Sequence, residues 1–383
     1  MRIAIIGIML GLGVMILSLA VVKGFKREIR EKIRGFDGDM KVIKYDLNTS
    51  FENSPFVRDT LLEQKLQQNK AVEYIAPYAN KPGIIKVSDN IEGVVLKGVN
   101  KTYNWTFIKS CLVAGNVINF ADSIAARTQL MISQTTANRL RLKVGDKVVI
   151  YFVQNPPRPR PFKIVGIYDT SIQEVDKTYV IGDLSVLQRV NDQQPDEIGG
   201  YELRIKNFDR LDTLAGQINS ALPIRLRLTT IKENYSNIFD WLQILDVNAQ
   251  VMLVLMLLVA VINMISALLI MILERTSMIG IMKAMGTSNW AIQKIFLYNA
   301  SYLISIGLLL GNIFGLGLGF FQQATHFFKL DANSYYMTFI PVEITVTDVV
   351  LLNIGTMIVC LVVLIIPSML ISRITPVKAI RFK

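Results

Sequence analysis

The run VMLVLMLLVAVINMISALLIMILERTSMIGIMKAMGTSNWAIQKIF, residues 251–296, contains the two kinds of segment that decide the fold, namely long uncharged runs and a charged connector between them. Residues 251–273 carry no charge, and residues 295–321 again carry none. Each run can cross a membrane, since a transmembrane helix needs roughly 20 mostly apolar residues. The stretch between them is charged but keeps a helical pattern. We therefore predict an amphipathic helix lying at the membrane surface over residues 274–294.

Two further apolar runs extend this pattern to the whole chain. The 383 residues are 51% hydrophobic and 19% charged, which is too apolar for an ordinary soluble protein and too charged for one that lies wholly in a membrane. We predict four transmembrane helices, at residues 1–22, 246–273, 295–321 and 348–372. The first run could also be a signal peptide, but it is longer than a typical apolar signal region and no small-x-small cleavage site follows. Whether a short cytoplasmic segment precedes Met1 stays open.

The charges flanking these runs predict the topology. Lys and Arg concentrate in short cytoplasmic loops. Segment 274–294 has three basic residues and one acid, and the tail 373–383 has four basic residues and no acid. The loop 322–347 has Lys329 against Asp331 and Glu343. We therefore place segment 274–294 and the tail in the cytoplasm, and the loop 322–347 together with the large region after the first helix on the other side.

Residues 23–44 do not follow this charge rule. They hold eight Lys and Arg residues against four acids, yet the topology places them outside. Long translocated domains often escape the rule. Apolar residues recur here at helical spacing, namely Phe25, Ile29, Ile33 and Phe36. The pattern predicts that the first membrane helix continues outward as an amphipathic stalk over residues 23–44.

Residues 45–245 alternate between helix and strand patterns, which is typical of an α+β domain. Ser54 and Pro55 predict the start of a helix, and Gly145-Asp146 predicts a turn before a strand. A proline-rich hairpin is predicted over 151–168, with Pro156, Pro157, Arg158, Pro159, Arg160 and Pro161 at its tip. Such a tip could guard a sheet edge against aggregation or project to bind a soluble partner.

The chain has no residue set that suggests catalysis. It lacks a G-x-x-x-x-G-K-[ST] phosphate loop and a G-x-S-x-G nucleophile motif. Its single histidine, His326, has no neighbouring Cys or His, so we predict no metal site. The net charge of +11 flanks apolar helices, which indicates membrane topology rather than nucleic-acid binding. The apolar windows inside these four runs, residues 3–22, 251–273, 296–321 and 349–372, contain no Asp, Glu, Lys, Arg or His, which argues against an ion or proton pump.

Small and polar residues predict how the helices pack. Gly307, Gly311, Gly315 and Gly319 form a row along one helix face, which permits close approach of a neighbouring helix. That neighbour could belong to the same chain or to a second copy. Asn263, Asn312 and Asn353 are interpreted as packing hydrogen bonds rather than as a substrate path.

The segment LERTSMIGIMKAMGTSNWAIQKIFL resembles the signature of FtsX-like, MacB-type permeases of the ABC transporter superfamily. One helix, a large domain and three helices is also the layout of that family. VVKGFKREIREKIRGF, LKVGDKVVIYF and the final PVKAIRFK resemble the lipoprotein-releasing permeases of the LolC/LolE type. The resemblance implies an α+β membrane protein of the bacterial inner membrane, with four transmembrane helices and a large α+β periplasmic domain inserted between the first and second.

The resemblance also implies partners and site residues. Glu274, Arg275, Gly280, Lys283 and Gly286 would form a coupling helix on a cytoplasmic ABC ATPase dimer, which would bind the ATP and magnesium. Met278 stands where the family often has an acid. The proline-rich hairpin corresponds in position to a hook that engages a periplasmic lipoprotein carrier, but here it is shorter. Lipoprotein acyl chains would need an apolar groove, for which Met9, Leu12, Met256 and Leu257 are candidates.

By the same resemblance, the chain is a non-catalytic membrane subunit that works with a second permease copy or a paralogue. It would pass ATPase motion to the periplasmic domain and so release lipoproteins to the carrier. Two alternatives stay open: an FtsX-like regulator that passes ATPase motion to a periplasmic hydrolase, and a MacB-like exporter subunit. The sequence leaves open whether the complex is a homodimer or a heterodimer, and which lipoproteins it handles.

Overall fold

The computed structural model describes residues 2–46, 51–87, 90–331 and 335–373, which form two units. The membrane unit comprises Met1–Glu28, Asp240–Leu330 and Thr338–Lys383, within those described ranges. The sheet unit comprises Ile29–Phe239 and Asp331–Met337. Residues 374–383, which contain most of the predicted cytoplasmic tail, lie outside the described part of the chain.

The described helices, in chain order, are α1 Arg2–Asp37, α2 Thr60–Gln68, α3 Thr106–Ser110, α4 Ser123–Ala126, α5 Gln134–Leu140, α6 Gln173–Thr178, α7 Leu184–Val190, α8 Leu211–Ala221, α9 Ile231–Asn234, α10 Ser236–Glu274, α11 Thr276–Ala284, α12 Asn289–Thr325, α13 Val346–Ser368 and α14 Leu370–Arg373. Four helical segments are long and apolar enough to cross a membrane: Ile3–Asp37, Ser236–Glu274, Asn289–Thr325 and Val346–Ser372. Each of these segments overlaps one of the four predicted spans.

The described strands are β1 Met40–Lys44, β2 Phe56–Val57, β3 Val72–Val87, β4 Asn90–Val99, β5 Leu112–Gly115, β6 Gln129–Ser133, β7 Lys147–Phe152, β8 Arg158–Tyr168, β9 Tyr179–Asp183, β10 Glu197–Ile198, β11 Gly200–Ile205 and β12 Leu226–Thr230. The main sheet has the order β12-β1-β11-β3-β4-β9-β6-β8-β5, and β7 pairs with both β3 and β8. Most neighbours are antiparallel, whereas β4–β9 and β6–β8 are parallel. Such a mixed sheet with short helices confirms the predicted α+β domain.

The predicted stalk helix ends earlier than expected. Helix α1 ends at Asp37 rather than at residue 44, and Met40–Lys44 form strand β1 between β11 and β12. Gly38 has φ +69, a left-handed conformation that ends a helix and that glycine adopts at little cost. Met40 and Val42 are buried in this strand, and so is Lys41 between them. The apolar spacing therefore correctly predicted a helix through Phe36. The predicted continuation of that helix from Gly38 to residue 44 was wrong.

Two other predicted helix boundaries are also wrong. The helix expected at Ser54 and Pro55 begins at Thr60, where the Asp59 carboxylate accepts a hydrogen bond from the Leu62 amide. The second membrane helix begins at Ser236, within the region assigned to the domain 45–245. The predicted turn at Gly145-Asp146 is confirmed: it precedes β7, and Gly145 has φ +100.

The segment 274–294 is not one helix. Helix α11 covers Thr276–Ala284, and Asn289 already belongs to α12. Gly286, at φ +87, ends the short helix, and the Ser288 hydroxyl caps α12 by accepting a hydrogen bond from the Ala291 amide. The chain therefore makes a tight turn between two helices at this point.

Candidate coupling, docking and helix-packing sites

Helix α11 exposes most of the apolar face that the sequence predicted, and Trp290 adds to it. Ile279 and Gly280 are buried on the opposite side. We name the exposed set, Met278, Ile281, Met285 and Trp290, the coupling surface; its members are 36%, 51%, 74% and 55% exposed. Sequence reasoning missed Trp290, which follows the turn at the start of α12. Monomeric surfaces seldom leave such large apolar side chains together without a partner.

The charged residues of this segment differ in their surroundings. Glu274 and Arg275 are exposed, and Gly286 lies in the turn after α11. The Lys283 ammonium group donates hydrogen bonds to the carbonyl oxygens of Ile371, at 2.6 Å, and Ser372, at 3.2 Å. A cation on helix-terminal carbonyls is favourable, because these carbonyls have no partner within the helix. Lys283 therefore holds α11 against the end of the last helix, a role that its charge alone did not predict.

The glycine row packs against α1 of the same chain. A Cβ atom added at Gly307 would lie 2.8 Å from the Ile8 Cβ, and one at Gly311 would lie 3.0 Å from the Leu12 Cβ. At Gly315 the neighbour is the Cα of Gly13, at 3.0 Å. A side chain at these positions would push against α1, so Gly307, Gly311 and Gly315 form the seam between α12 and α1. A Cβ at Gly319 would instead meet Ile344, at 2.8 Å.

Asparagine side chains connect other helices, as the sequence suggested. The amides of Asn312 in α12 and Asn353 in α13 exchange hydrogen bonds of 2.8 and 2.9 Å. Asn263 in α10 lies against Gly7 in α1. These contacts use the amide groups within the helix bundle.

Three of the basic residues that follow the first span have acidic partners. Lys23 lies 2.6 Å from Asp348, and Arg27 lies 3.1 Å from Glu343. Lys26 pairs with Asp246 at the start of the second span. Each of these pairs offsets one positive charge of residues 23–44.

The four candidate groove residues are not equivalent. Leu12 is fully buried against Gly311, so its assignment to an open groove was wrong. Met9, Met256 and Leu257 are half-buried. The exposed apolar side chains of α10 include Met252, Leu255 and Val259. Only 17% of the most apolar part of α10 is buried, as in the last span, against 39% for α1 and for α12, so α10 and the last span have the more open apolar faces.

The proline-rich hairpin is built into the sheet rather than projecting from it. Strands β7 and β8 pair from Lys147↔Lys163 to Phe152↔Arg158, so Pro159 and Pro161 lie within a strand. Among the described strands, β8 pairs only with β7 at these positions, because its pairing with β6 begins at Lys163. Proline is tolerated at such a free edge. Of the four prolines, only Pro156 and Pro157 lie in the loop between the strands.

The arginines at the tip are partly engaged. The Arg158 guanidinium donates to both carboxylate oxygens of Asp192, at 2.8 and 2.5 Å, and to the carbonyl oxygen of Val190. This contact lowers the pKa of Asp192 below its usual value, so the pair is charged at neutral pH. Arg160 lies at the surface and donates to the Pro159 carbonyl oxygen. Of the two arginines, only Arg160 is therefore placed to meet a partner without breaking an ion pair.

A row of exposed apolar side chains crosses three neighbouring strands of this sheet. Ile84, Tyr151 and Pro159 are register partners on β3, β7 and β8. Ile84 is 40% exposed and Tyr151 is 41% exposed, and Pro159 is also exposed. We name these three residues the docking row. Tyr151 and Pro159 belong to one hairpin, whereas Ile84 is distant in sequence and joins them through the pairing of β3 with β7.

Comparisons with known proteins extend over the whole chain. Residues 2–221 match the family described as the MacB-like periplasmic core domain, and residues 250–376 match the FtsX-like permease C-terminal family. The chain is 24% identical to the lipoprotein-releasing system transmembrane protein LolC of Neisseria meningitidis serogroup B, over 100% of this chain and 94% of the relative. It is 23% identical to LolE of Haemophilus influenzae, over 98% of this chain and 92% of the relative.

Among solved structures, the periplasmic region of MacB from Actinobacillus actinomycetemcomitans aligns with 14% identity and a TM-score of 0.38, over 55% of this chain and 97% of that one. The family matches confirm the predicted fold class, an α+β membrane protein with a MacB-like domain between the first and second of four apolar helices. Because residues 2–221 make up more than half of its length, the chain belongs to the family of MacB-like periplasmic core domain proteins, joined to an FtsX-like permease C-terminal region.

Proposed function

We propose that this chain is the permease subunit of an ABC transporter that releases lipoproteins from the bacterial inner membrane to a periplasmic carrier. The observation that carries the proposal is the similarity to LolC and LolE proteins over nearly the whole chain. The structure supports it with uncharged spans, a large domain between the first two, and an exposed apolar segment between the second and third. In this role the subunit is non-catalytic and uses the ATP hydrolysed by its partner.

The coupling surface is the proposed contact for the cytoplasmic ATPase dimer. Helix α11 directly follows α10, and Lys283 fixes it to the carbonyls at the end of the last helix. A displacement of α11 by the ATPase would therefore be transmitted to α10 and to the last membrane helix. Met278 lies within this surface, so in this chain an apolar contact replaces the acid that the family often has.

We propose the docking row and the adjoining hairpin tip as the contact for the lipoprotein carrier. Tyr151 lies at its centre, and an exposed aromatic side chain flanked by apolar neighbours is typical of an interface anchor. Pro156, Pro157 and Arg160 border it, whereas Arg158 positions the hairpin through Asp192.

Replacing Tyr151 with glutamate is expected to weaken carrier binding at least about tenfold, because a charge would be buried in an apolar contact. Biolayer interferometry with the carrier and the complete complex measures this. Tyr151→Phe keeps the ring and Ile224→Glu adds the same charge at a fully exposed site elsewhere, so both should bind normally. Unchanged binding by Tyr151→Glu would exclude the docking row as the contact.

The lipoprotein groove is proposed along the open face of α10, with Met9, Met256 and Leu257 at its border and Met252, Leu255 and Val259 on its floor. A second permease copy or a paralogue would close it. A photo-crosslinking amino acid at Leu255 is expected to form adducts with the lipoprotein acyl chains, and one at the buried Leu12 is expected to form none. Adducts at both positions in equal yield, or at neither, would contradict this groove.

Co-purification from native membranes tests the proposed function against its alternatives. An ABC ATPase and a soluble lipoprotein carrier are expected with this chain. Recovery of a peptidoglycan hydrolase instead would favour an FtsX-like regulator, and retention of peptides or drugs with no carrier would favour a MacB-like exporter. Native mass spectrometry of the same sample would also distinguish a homodimer of permeases from a heterodimer.

A further inference from the structure

The sheet unit contains a buried cluster of four charges that the proposed docking and coupling sites do not use. Asp37, Lys97 and Glu202 are 4%, 1% and 1% exposed, and Lys41 is 8% exposed. The Lys97 ammonium lies 2.7 Å from the Glu202 carboxylate and 3.3 Å from that of Asp37. Lys41 pairs with the other oxygen of Asp37. Two acids and two bases thus balance each other away from solvent.

The members of this cluster come from the elements that would carry motion. Asp37 is the last residue of α1, and Tyr235 immediately precedes α10. The Tyr235 hydroxyl donates a hydrogen bond of 3.1 Å to the Asp37 carboxylate. Lys41 lies on β1, Lys97 on β4 and Glu202 on β11. One carboxylate therefore contacts the domain ends of both long helices and the sheet.

This ion cluster is not the arrangement that folding stability alone would favour. Burying charges costs free energy, and apolar side chains of similar volume often hold a core equally well. Apolar contacts between elements can slide, however, whereas a displaced Asp37 would leave the buried Lys41 ammonium without its carboxylate partner and Lys97 with Glu202 alone. The ion cluster therefore resists displacement of either helix along the sheet.

The ionisation state of Asp37 agrees with this geometry. Burial opposes the charged form of the carboxyl group, but the ammonium groups of Lys41 and Lys97 outweigh that effect. They lower the pKa of Asp37 to about 2. The carboxylate is thus charged at neutral pH.

We infer that Asp37 is a positioning residue that clamps the ends of α1 and α10 to the sheet, so that ATP-driven movement of these helices moves the periplasmic domain. This helix clamp, formed by Asp37, Tyr235, Lys41, Lys97 and Glu202, rests on the proposed function. Without the helix clamp, α1 and α10 would move without moving the periplasmic domain. ATP would then be hydrolysed without release.

The test measures lipoprotein released per ATP hydrolysed by the complete complex. Tyr235→Phe removes only the hydroxyl that joins α10 to Asp37, and Asp37→Asn removes the charge with little change in shape. Both variants should hydrolyse ATP at the normal rate. Release per ATP should fall about tenfold in Asp37→Asn, which weakens the contacts of Asp37 with Lys41, Lys97 and Tyr235, and by a smaller factor in Tyr235→Phe, which removes only one of them.

Asp176→Asn is the matched control. Asp176 is also 4% exposed in the same unit, but it accepts its hydrogen bonds from the amide and the hydroxyl of Thr170. Burial raises its pKa to about 7, so an amide is a close substitute for the partly protonated acid. Normal release per ATP is expected. Full release by Tyr235→Phe, or an equal loss in all three variants, would overturn the clamp.

Hydrogen exchange on the same complexes separates this inference from the proposed function. Amides at residues 231–239 should exchange faster in Tyr235→Phe and Asp37→Asn than in the wild type and Asp176→Asn. If the wild-type complex releases no lipoprotein, the proposed function fails, and exchange still decides the clamp. Unchanged exchange in both clamp variants would overturn it.

Discussion

Replacing Gly311 with leucine is expected to destabilise the membrane unit by about 3 kcal/mol, the upper part of the range for overpacked cores. A Cβ atom there would lie 3.0 Å from the Leu12 Cβ and 3.0 Å from the Met9 carbonyl oxygen. The rest of the leucine side chain would force α12 and α1 apart. The thermal unfolding midpoint of the purified protein in detergent should fall by at least about 5 °C.

Gly317 in the same helix is the matched control. It is exposed, and an added Cβ would meet nothing within 4 Å. Gly317→Ala should be neutral or slightly stabilising, because alanine favours a helix over glycine by up to about 1 kcal/mol. Gly311→Ala should already be destabilising. If Gly311→Leu unfolds at the wild-type temperature, the close packing of α12 on α1 is wrong.

Replacing Met285 with glutamate is expected to reduce ATPase association at least about 30-fold, since interface anchors contribute about 2 kcal/mol or more. Met285 is 74% exposed on the coupling surface and would be desolvated on docking. A buried, unpaired carboxylate opposes that step. The amount of ATPase retained by the immobilised permease, titrated over ATPase concentration, measures the effect.

Met285→Leu keeps an apolar side chain of similar volume and should retain the ATPase almost normally. Trp290→Ala should weaken association as well, because it removes the largest side chain of the same surface. Normal retention by Met285→Glu together with a loss in an Arg275→Ala variant would move the contact from the apolar surface to the charged residues.

Length and charge in the sequence were enough to predict the membrane helices. An uncharged run of about 20 residues has few stable alternatives to a transmembrane helix, so the amino-acid sequence alone was sufficient to place four spans. The glycine row could also be identified, because it repeats every fourth residue. Its partner could not, since nothing in the spacing of Gly307 to Gly319 distinguishes α1 from a second copy.

Other features depend on contacts between distant residues. Asp37 and Lys97 are 60 positions apart, and their pairing follows from the strand order β1-β11-β3-β4 rather than from any local motif. The docking row likewise depends on register. The apolar spacing did not predict the two helix ends at which a single glycine redirects the chain, namely Gly38 after α1 and Gly286 after α11.

The proline-rich hairpin shows a different limit. Four prolines in a short stretch predicted a stiff tip that pairs poorly. Pro159 and Pro161 instead lie in β8, because alternate residues direct their nitrogen atoms to the same edge, and none of the described strands pairs with that edge at these positions. The high proline content correctly indicated a strand edge, but it did not predict where the loop ends and β8 begins.

ATP-driven transfer of a lipoprotein from proteoliposomes to a soluble carrier tests the central claim most directly. The permease is reconstituted with its ATPase partner and a fluorescent triacylated lipoprotein, and the carrier is added outside. We expect lipoprotein in the soluble fraction only when ATP, the ATPase and the carrier are all present, and much less with the Met285→Glu permease. Rapid ATP hydrolysis that leaves all the lipoprotein in the membrane would contradict the account.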